Sequence, residues 1–221
     1  MNGLHKLYAI RILFACHQLL WKSGLFEDER LIAHWTLDET EGDVAFDSVG
    51  INDGYVTGNP PWQPDGGQIG GALQLDGVDD FLATDFVLDP SEGPFSVFAW
   101  IQGGVAGQVI VSQVDGENWL GTDPTHGWLM TDLEGAGRGS SGLGSEVVVT
   151  DGSWHRVGLV WDGENRTLYV DDAVVAEDTQ AGGLVGGSGD LNIGCGKDMA
   201  TGTFFWGLID DVRIYNRVIA P

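Results

Sequence analysis

Residues 154–176 read WHRVGLVWDGENRTLYVDDAVVA, three apolar runs separated by two turn signals. The first turn, at residues 162–165, carries the Asp-Gly pair that is typical of a β-hairpin. The second turn is Asp171-Asp172, between Leu168–Val170 and Ala173–Ala176. The stretch therefore predicts three antiparallel strands joined by two tight turns.

The same alternation of apolar runs and turn signals continues from Leu31 to the end of the chain. Its 35 glycines indicate many tight turns and bulges. A chain of 221 residues with this pattern and no long helical segment is predicted to form one all-β domain, an antiparallel sandwich or barrel. The clearest runs are Leu31–Leu37, Ala72–Leu75, Phe95–Ile101, Val109–Ser112, Gly127–Met130, Val147–Val149, Trp154–Trp161, Thr167–Val170, Ala173–Ala176, Leu191–Ile193 and Phe204–Tyr215.

The chain is strongly acidic, with 33 acidic and 10 basic residues and a formal net charge of -23. Such a surface repels phosphate backbones, so nucleic acid is not expected as a partner. Two interpretations of the acidity stay open, a solvated acidic surface and sites for a hard cation such as calcium. The two cysteines, Cys16 and Cys195, have no metal or redox spacing, and both a disulfide and two free thiols remain open.

Residues 1–30 differ from the rest, because four of the ten basic residues lie in them. The apolar stretch Leu4–Trp21 lacks glycine and proline and predicts a short N-terminal helix. An export signal is a second interpretation, although Arg11 and His17 interrupt the stretch and no small-residue cleavage site follows it. Two further interpretations of residues 1–30 are a remnant of a longer protein and an incorrectly assigned start codon. The segment has no uninterrupted span of about 20 apolar residues, so we expect no transmembrane helix.

Seven short segments from residue 31 onward carry a family resemblance. The chain resembles the laminin-G-like, concanavalin A-like jelly-roll domains of bacterial secreted and surface proteins. The resemblance implies a two-sheet antiparallel β-sandwich over residues 31–221 and a secreted or cell-surface location. The segments, in order, are residues 31–39 (LIAHWTLDE), 47–54 (DSVGINDG), 70–81 (GGALQLDGVDDF), 95–101 (FSVFAWI), 151–157 (DGSWHRV), 168–171 (LYVD) and 207–217 (GLIDDVRIYNR).

The last segment places a carboxylate among apolar residues. Strict alternation over the strand puts Asp210 on one face with Leu208, Val212 and Ile214. A buried carboxylate needs hydrogen bonds, a cation or a metal. The resemblance implies a structural calcium site built from the early Asp-Ser-x-Gly loop and an aspartate of the last strand. Carried over, its ligands are Asp47, Asn52 and Asp210. The alternative is that Asp47 caps a turn and Asp210 accepts backbone N–H groups.

A second aspartate cluster lies at residues 76–80, which read DGVDD. Its spacing is not that of an EF-hand loop. We expect it to form a hairpin turn between Leu73–Leu75 and Phe81–Ala83, with calcium binding as the alternative.

One tryptophan-bearing region is the best candidate for a glycan site. A tryptophan can stack on a sugar ring while neighbouring polar groups bond its hydroxyls. The alternative is that these residues cover a sheet edge. The predicted ligand-binding residues are Asp115, Asn118, Trp119, Asp123, His126 and Trp128.

Three functions remain open at the level of sequence. The first is a non-catalytic carbohydrate-binding or adhesion module with a structural calcium ion, and its partner is a glycan or polysaccharide. The second is a structural or protein-interaction module of a larger surface protein. The third is a divergent glycosidase. No Glu-x-Asp-x-x-Glu strand motif, no Gly-x-Ser-x-Gly elbow and no recognisable Ser–His–Asp set occurs in the sequence, so we expect no enzymatic activity.

Overall fold

The computed structural model describes residues 30–137 and 141–221, which form two antiparallel sheets packed face to face. The predicted all-β sandwich is confirmed, and this part of the chain contains no helix. Leu4–Trp21, Cys16 and the predicted N-terminal segment lie outside the described residues apart from Arg30. The strands are β1 (Leu31–Trp35), β2 (Val44–Ala45), β3 (Gly54–Thr57), β4 (Trp62–Gln63), β5 (Ala72–Asp76), β6 (Phe81–Ala83), β7 (Phe95–Gly103), β8 (Val109–Gln113), β9 (Asn118–Thr122), β10 (Trp128–Thr131), β11 (Leu143–Val148), β12 (Trp154–Trp161), β13 (Asn165–Val170), β14 (Ala173–Thr179), β15 (Leu191–Ile193) and β16 (Trp206–Tyr215).

Sheet A has the order β14-β13-β12-β7-β16-β5-β4, and sheet B has the order β11-β10-β9-β8-β15-β6-β3-β2. The two hairpins predicted from residues 154–176 are present as β12-β13-β14 at the edge of sheet A. β16 is central in sheet A. One of its sides pairs with β7, while its other side pairs first with β5 and then with β1.

The core lies between the two sheets. Phe95 of sheet A packs on Trp119 of sheet B with ring centroids 5.3 Å apart. Trp35 and Ile209 are also fully buried in this layer. Each such side chain stabilises the fold by about 1.5–3 kcal/mol through removal of apolar surface from water. Among the described residues, no helix has the length and apolarity needed to cross a membrane.

A β-bulge in β16 corrects the predicted alternation of that strand. Asp211 has a φ of 50°, and the pairing with β7 shifts register between Asp210 and Arg213. Because the bulge adds one residue, Ile209 shares the core face with Val212 and Ile214. Asp210 therefore points away from the core rather than into it, although it is fully buried.

The predicted hairpin between β5 and β6 is wrong, since β5 belongs to sheet A and β6 to sheet B. Residues 77–80 therefore carry the chain from one sheet to the other. The apolar runs in the sequence also failed to predict β2, β3, β4 and β9. Three of these have only two to four residues, and the fourth, β9, has only two consecutive large apolar residues, Trp119 and Leu120, so none of them shows a clear apolar pattern.

Candidate functional site

The turn between β9 and β10 is organised by Asp123. Its carboxylate accepts the backbone N–H groups of Thr125 (3.0 Å), His126 (3.0 Å) and Trp128 (2.9 Å). Partial burial acts to raise the pKa of Asp123, but these hydrogen bonds outweigh it and lower the pKa. Asp123 therefore shapes the turn and leaves ligand contact to its neighbours.

The turn presents two stacked rings. The imidazole of His126 lies 3.9 Å from the ring of Trp128, with 11° between their planes. His126 is exposed and Trp128 is half-buried. Trp128 begins β10 and shares its face with Met130. The stack is a flat aromatic surface at the turn that joins β9 and β10.

A cavity of about 250 Å³ extends from Pro124 of this turn along the hairpin, and it is also lined by Asn118, Thr122, Met130 and Asp132, but not by the two rings. Asn118 donates from Nδ2 to Asp132 Oδ2 at 2.8 Å, and its Oδ1 accepts the backbone N–H of Lys197 at 3.0 Å. The amide is thus held in a fixed orientation at the cavity wall.

Two of the six predicted ligand-binding residues lie elsewhere. Trp119 is wrong as a ligand contact, because its side chain is fully buried in the core against Phe95. Asp115 is exposed, but it lies in the turn before β9, at the opposite end of that strand from Asp123. The structure therefore brings Asp123, His126 and Trp128 together at the turn, whereas Asn118 lies with Asp132 at the other end of the hairpin, and the cavity extends between the two groups. We call these five residues, with Met130, the β9–β10 patch.

The predicted calcium ligands Asp47 and Asn52 are neighbours. Asp47 Oδ1 accepts the N–H groups of His34 (2.9 Å) and Val49 (3.2 Å). Its Oδ2 accepts the backbone and side-chain N–H groups of Asn52 at 3.2 and 3.3 Å. These four donors make Asp47 and Asn52 one hydrogen-bonded turn.

Asp210 lies apart from that turn. Trp35 of β1 pairs with Asp47 on one side and with Val212 of β16 on the other, so a strand separates Asp47 from β16. Asp210 Oδ2 accepts the N–H of Ile69 at 2.8 Å, whereas its buried Oδ1 has no hydrogen-bond partner among the described residues. Burial, together with the charges of Asp211 and Asp38, raises the pKa of Asp210 to about 6.

The second aspartate cluster also has backbone partners. Asp76, Asp79 and Asp80 bring carboxylate oxygens within 4.8 Å of one another. Asp80 is buried and accepts the N–H groups of Asn59 (2.9 Å) and Asp76 (3.2 Å). Burial and the two neighbouring carboxylates raise the pKa of Asp80. The cluster joins the connection between the sheets to the end of β3.

The structure brings together a serine, a histidine and an aspartate that the sequence did not single out. Ser48 Oγ lies 2.8 Å from His34 Nδ1, and His34 Nε2 lies 2.8 Å from Asp211 Oδ1. They are separated by up to 177 positions in the chain, so no local motif could reveal them.

This relay has the order of a catalytic triad but lacks its oxyanion donors. The N–H of Ser48 donates to His34 O at 2.8 Å, and the N–H of Val49 donates to Asp47. Both amides that could stabilise an oxyanion at Ser48 are therefore occupied. The relay instead connects β1, the turn at residues 47–53 and β16.

Sequence comparison assigns this fold to a family. The profile of the Concanavalin A-like lectin/glucanases superfamily (Laminin_G_3) matches residues 75–221, more than half of the chain. The chain belongs to this superfamily. No curated protein matches it at the level of sequence.

Solved structures with the same fold include several binding domains. The binding domain of Paraclostridial Mosquitocidal Protein 1 has a TM-score of 0.69 and 12% identity, covering 86% of this chain and 50% of that one. Domain 4 of the extracellular arabinanase AbnA from Geobacillus stearothermophilus, solved with arabinotriose, has a TM-score of 0.58 and 19% identity, covering 86% and 94%. The binding domain of Botulinum Neurotoxin DC, in complex with SialylT, has a TM-score of 0.63 and 12% identity, covering 86% and 49%.

These likenesses show the fold alone, because all the identities are below 25%. The chain spans about half the length of the two toxin binding domains. Several of the similar structures are binding domains, and a Trypanosoma rangeli sialidase also matches over 31% of its own length.

Proposed function

We propose that this chain is a non-catalytic, extracellular glycan-binding module. The observation that carries the proposal is the His126–Trp128 ring stack on a turn that also contributes Pro124 to the cavity lined by Asn118 and Asp132. Aromatic rings contact the C–H face of a sugar, while amide and carboxylate groups bond its hydroxyls. The structures of related fold solved with arabinotriose and a sialylated ligand support the same class of function.

The patch is preorganised, which favours binding. Asp123 fixes the turn through three backbone N–H groups, and Asp132 fixes the amide of Asn118. Groups already held in place lose little conformational entropy when a ligand arrives. An extracellular location is consistent with the similar structures, which include a domain of an extracellular arabinanase and binding domains of toxins.

The test is a glycan array probed in the presence of calcium, followed by titration of the glycans that bind. We expect Trp128→Ala to weaken binding about tenfold, since it removes the stacking surface. Tyr55→Ala is the matched control, because Tyr55 is an exposed aromatic residue on β3, away from the patch. A wild-type chain that binds no glycan but captures a protein partner would replace this proposal with a protein-interaction function.

We also propose that calcium stabilises the fold at Asp210 rather than at Asp47. The support is the buried Oδ1 of Asp210, an acceptor with no donor among the described residues. Asp38 is close enough for its charge to raise the pKa of Asp210, so the two carboxylates offer oxygen ligands of the kind that calcium prefers. The ion would neutralise charge that otherwise opposes folding.

Thermal unfolding with calcium and with a chelator tests this site. Calcium should raise the midpoint by several degrees in the wild type, because a ligand that binds only the folded state stabilises it. Asp210→Asn should abolish that increase. Asp47→Asn should lower the stability of the fold, but calcium should still raise its midpoint. An unchanged midpoint in the wild type would rule out the ion.

A further inference from the structure

The outward face of sheet A carries a cleft that no sequence pattern indicated. Leu208 of β16 pairs with Gln102 of β7 on one side and with Gln74 of β5 on the other, so the three side chains share one face. Trp206 lies two residues before Leu208 and shares that face. With Gln63 of β4, these residues line a cavity of about 440 Å³.

The exposed side chain of Trp206 lines one end of the cleft. It is 57% exposed, although it begins β16, whose central residues 209–212 are buried. Its backbone N–H donates to Oε1 of Gln108 at 3.0 Å, and Gln108 is buried. The ring is therefore exposed while its backbone is held firmly.

Glycine keeps the cleft floor open beside the tryptophan. Gly103 and Gly207 pair across β7 and β16, with φ values of 103° and 151°. A Cβ on Gly207 would lie 2.2 Å from Gln102 O, and one on Gly103 would lie 2.9 Å from Trp206 O. Side chains are thus excluded at this point, and a ligand can approach the backbone.

The side-chain amides of Gln63, Gln74 and Gln102 supply hydrogen-bond donors and acceptors that the fold does not use up. Gln63 Nε2 donates to Gln74 Oε1 at 2.7 Å, which orients the two amides relative to each other. Gln102 makes no side-chain hydrogen bond to any described residue, so both its carbonyl and its NH₂ group are available. Amides offer donors and acceptors together, which matches the pattern of a sugar hydroxyl.

The cleft is uncharged. None of the described side chains that line it is acidic or basic, whereas the chain as a whole has a net charge of -23. An anionic sugar would find no cation in the cleft and a repulsive field around it. An exposed indole with three amides and no charge fits a neutral sugar.

We infer that the cleft of Trp206, Gln63, Gln74 and Gln102 is a second glycan site, selective for neutral oligosaccharides over sialylated ones. The site rests on the proposed glycan-binding function and is separate from the β9–β10 patch. Gln108 connects the two regions, because it also lines the cavity beside that patch. The volume of the Trp206 cleft falls within the range of about 300–1,000 Å³ that is usual for small-ligand sites.

Titration of the full chain with neutral and sialylated oligosaccharides, by calorimetry, tests the site. We expect neutral oligosaccharides to bind, Trp206→Ala to weaken binding about tenfold at the cleft, and Gln102→Ala to weaken it severalfold. The matched control is Phe46→Ala, because Phe46 is 60% exposed and lies outside the cleft. Trp206 is exposed, so its removal should leave the unfolding midpoint unchanged.

Neutral glycan binding that is lost with Trp128→Ala but kept with Trp206→Ala would overturn the cleft and leave the proposed function intact. Preference for sialylated ligands at Trp206 would overturn the stated selectivity. A chain that binds no glycan would overturn both proposals.

Discussion

The Nε2 atom of His34 lies 2.8 Å from Oδ1 of Asp211, across the pairing between β1 and β16. Asp211 is largely buried and also accepts a hydrogen bond from Arg213 Nη2 at 2.9 Å. Since a carboxylate can only accept, Nε2 carries the imidazole proton, and Nδ1 faces Ser48. One side chain therefore holds the bulge of β16 to the first strand and to the turn that follows it.

Asp211→Asn should destabilise the fold by about 2 kcal/mol at neutral pH, because it removes the charge that pairs with Arg213 and His34. Urea unfolding measures the change. Asp172→Asn is the control, since Asp172 pairs with Arg156 at an exposed position and its loss should cost less than about 1 kcal/mol. Equal effects in the two variants would contradict a structural role for the relay.

The same aspartate predicts a pH dependence. Burial acts to raise the pKa of Asp211, but His34 and Arg213 outweigh it and lower the pKa below its ordinary value of 3.8. A carboxylate with a lowered folded pKa contributes stability above the unfolded pKa and loses it as the pH falls through the folded pKa. The difference between the wild type and Asp211→Asn should therefore shrink below about pH 4.

The shifted pKa of Asp210 predicts the opposite dependence of folding stability on pH. Its pKa rises from 3.8 to about 6 in the folded state, so the unfolded chain ionises first as the pH increases. Stability should fall between about pH 4 and pH 6 and then level off. In chelator, Asp210→Asn should therefore be more stable than the wild type at pH 7.5, by about 3 kcal/mol, and equal to it at pH 3.5. A variant that is less stable at pH 7.5 in chelator would contradict this assignment.

The sequence predicted the sandwich because the apolar runs and turns of sheet A are long and regular. It placed Asp210 on the wrong face, since one bulge residue at Asp211 reverses the alternation of the strand. It likewise joined β5 and β6 as a hairpin, because local turn chemistry does not distinguish a return within one sheet from a crossing to the other.

The candidate sites were only partly predictable for the same kind of reason. Asp123, His126 and Trp128 are close in sequence and meet at one turn, whereas Asn118 lies at the other end of the same hairpin, beside Asp132. Trp119 shares that stretch but points into the core. The amides beside Trp206 come from three other strands, so only the register of sheet A shows that they form one cleft.

Cys195 offers a chemical test of burial. The thiol is fully buried, and this raises its pKa to about 12, so little reactive thiolate exists at pH 8. In a Cys16→Ser variant, where Cys195 is the remaining cysteine, a disulfide reagent should label the native protein far more slowly than the protein unfolded in denaturant. Native labelling at the rate of an exposed thiol would contradict the burial.

Arg166 holds the connection between β10 and β11 to sheet A. Its side chain is fully buried, pairs with Asp178 through Nε at 2.9 Å, and donates to the backbone carbonyls of Leu133 and Ser141. Arg166→Ala leaves two carbonyls without their donor and Asp178 without its cationic partner, although Gln180 still donates to Asp178. We expect a loss of about 3–4 kcal/mol, measured by urea unfolding, and faster amide exchange at residues 132–137 and 141–143.

A double-mutant cycle separates the ion pair from the carbonyl contacts. Asp178→Ala removes only the carboxylate, so it should cost less than Arg166→Ala, and adding it to Arg166→Ala should cost almost nothing further. Arg156→Ala is the matched arginine control, because its partner Asp172 is exposed, and its cost should stay near 1 kcal/mol. Additive losses for Arg166 and Asp178 would show that the two side chains act independently.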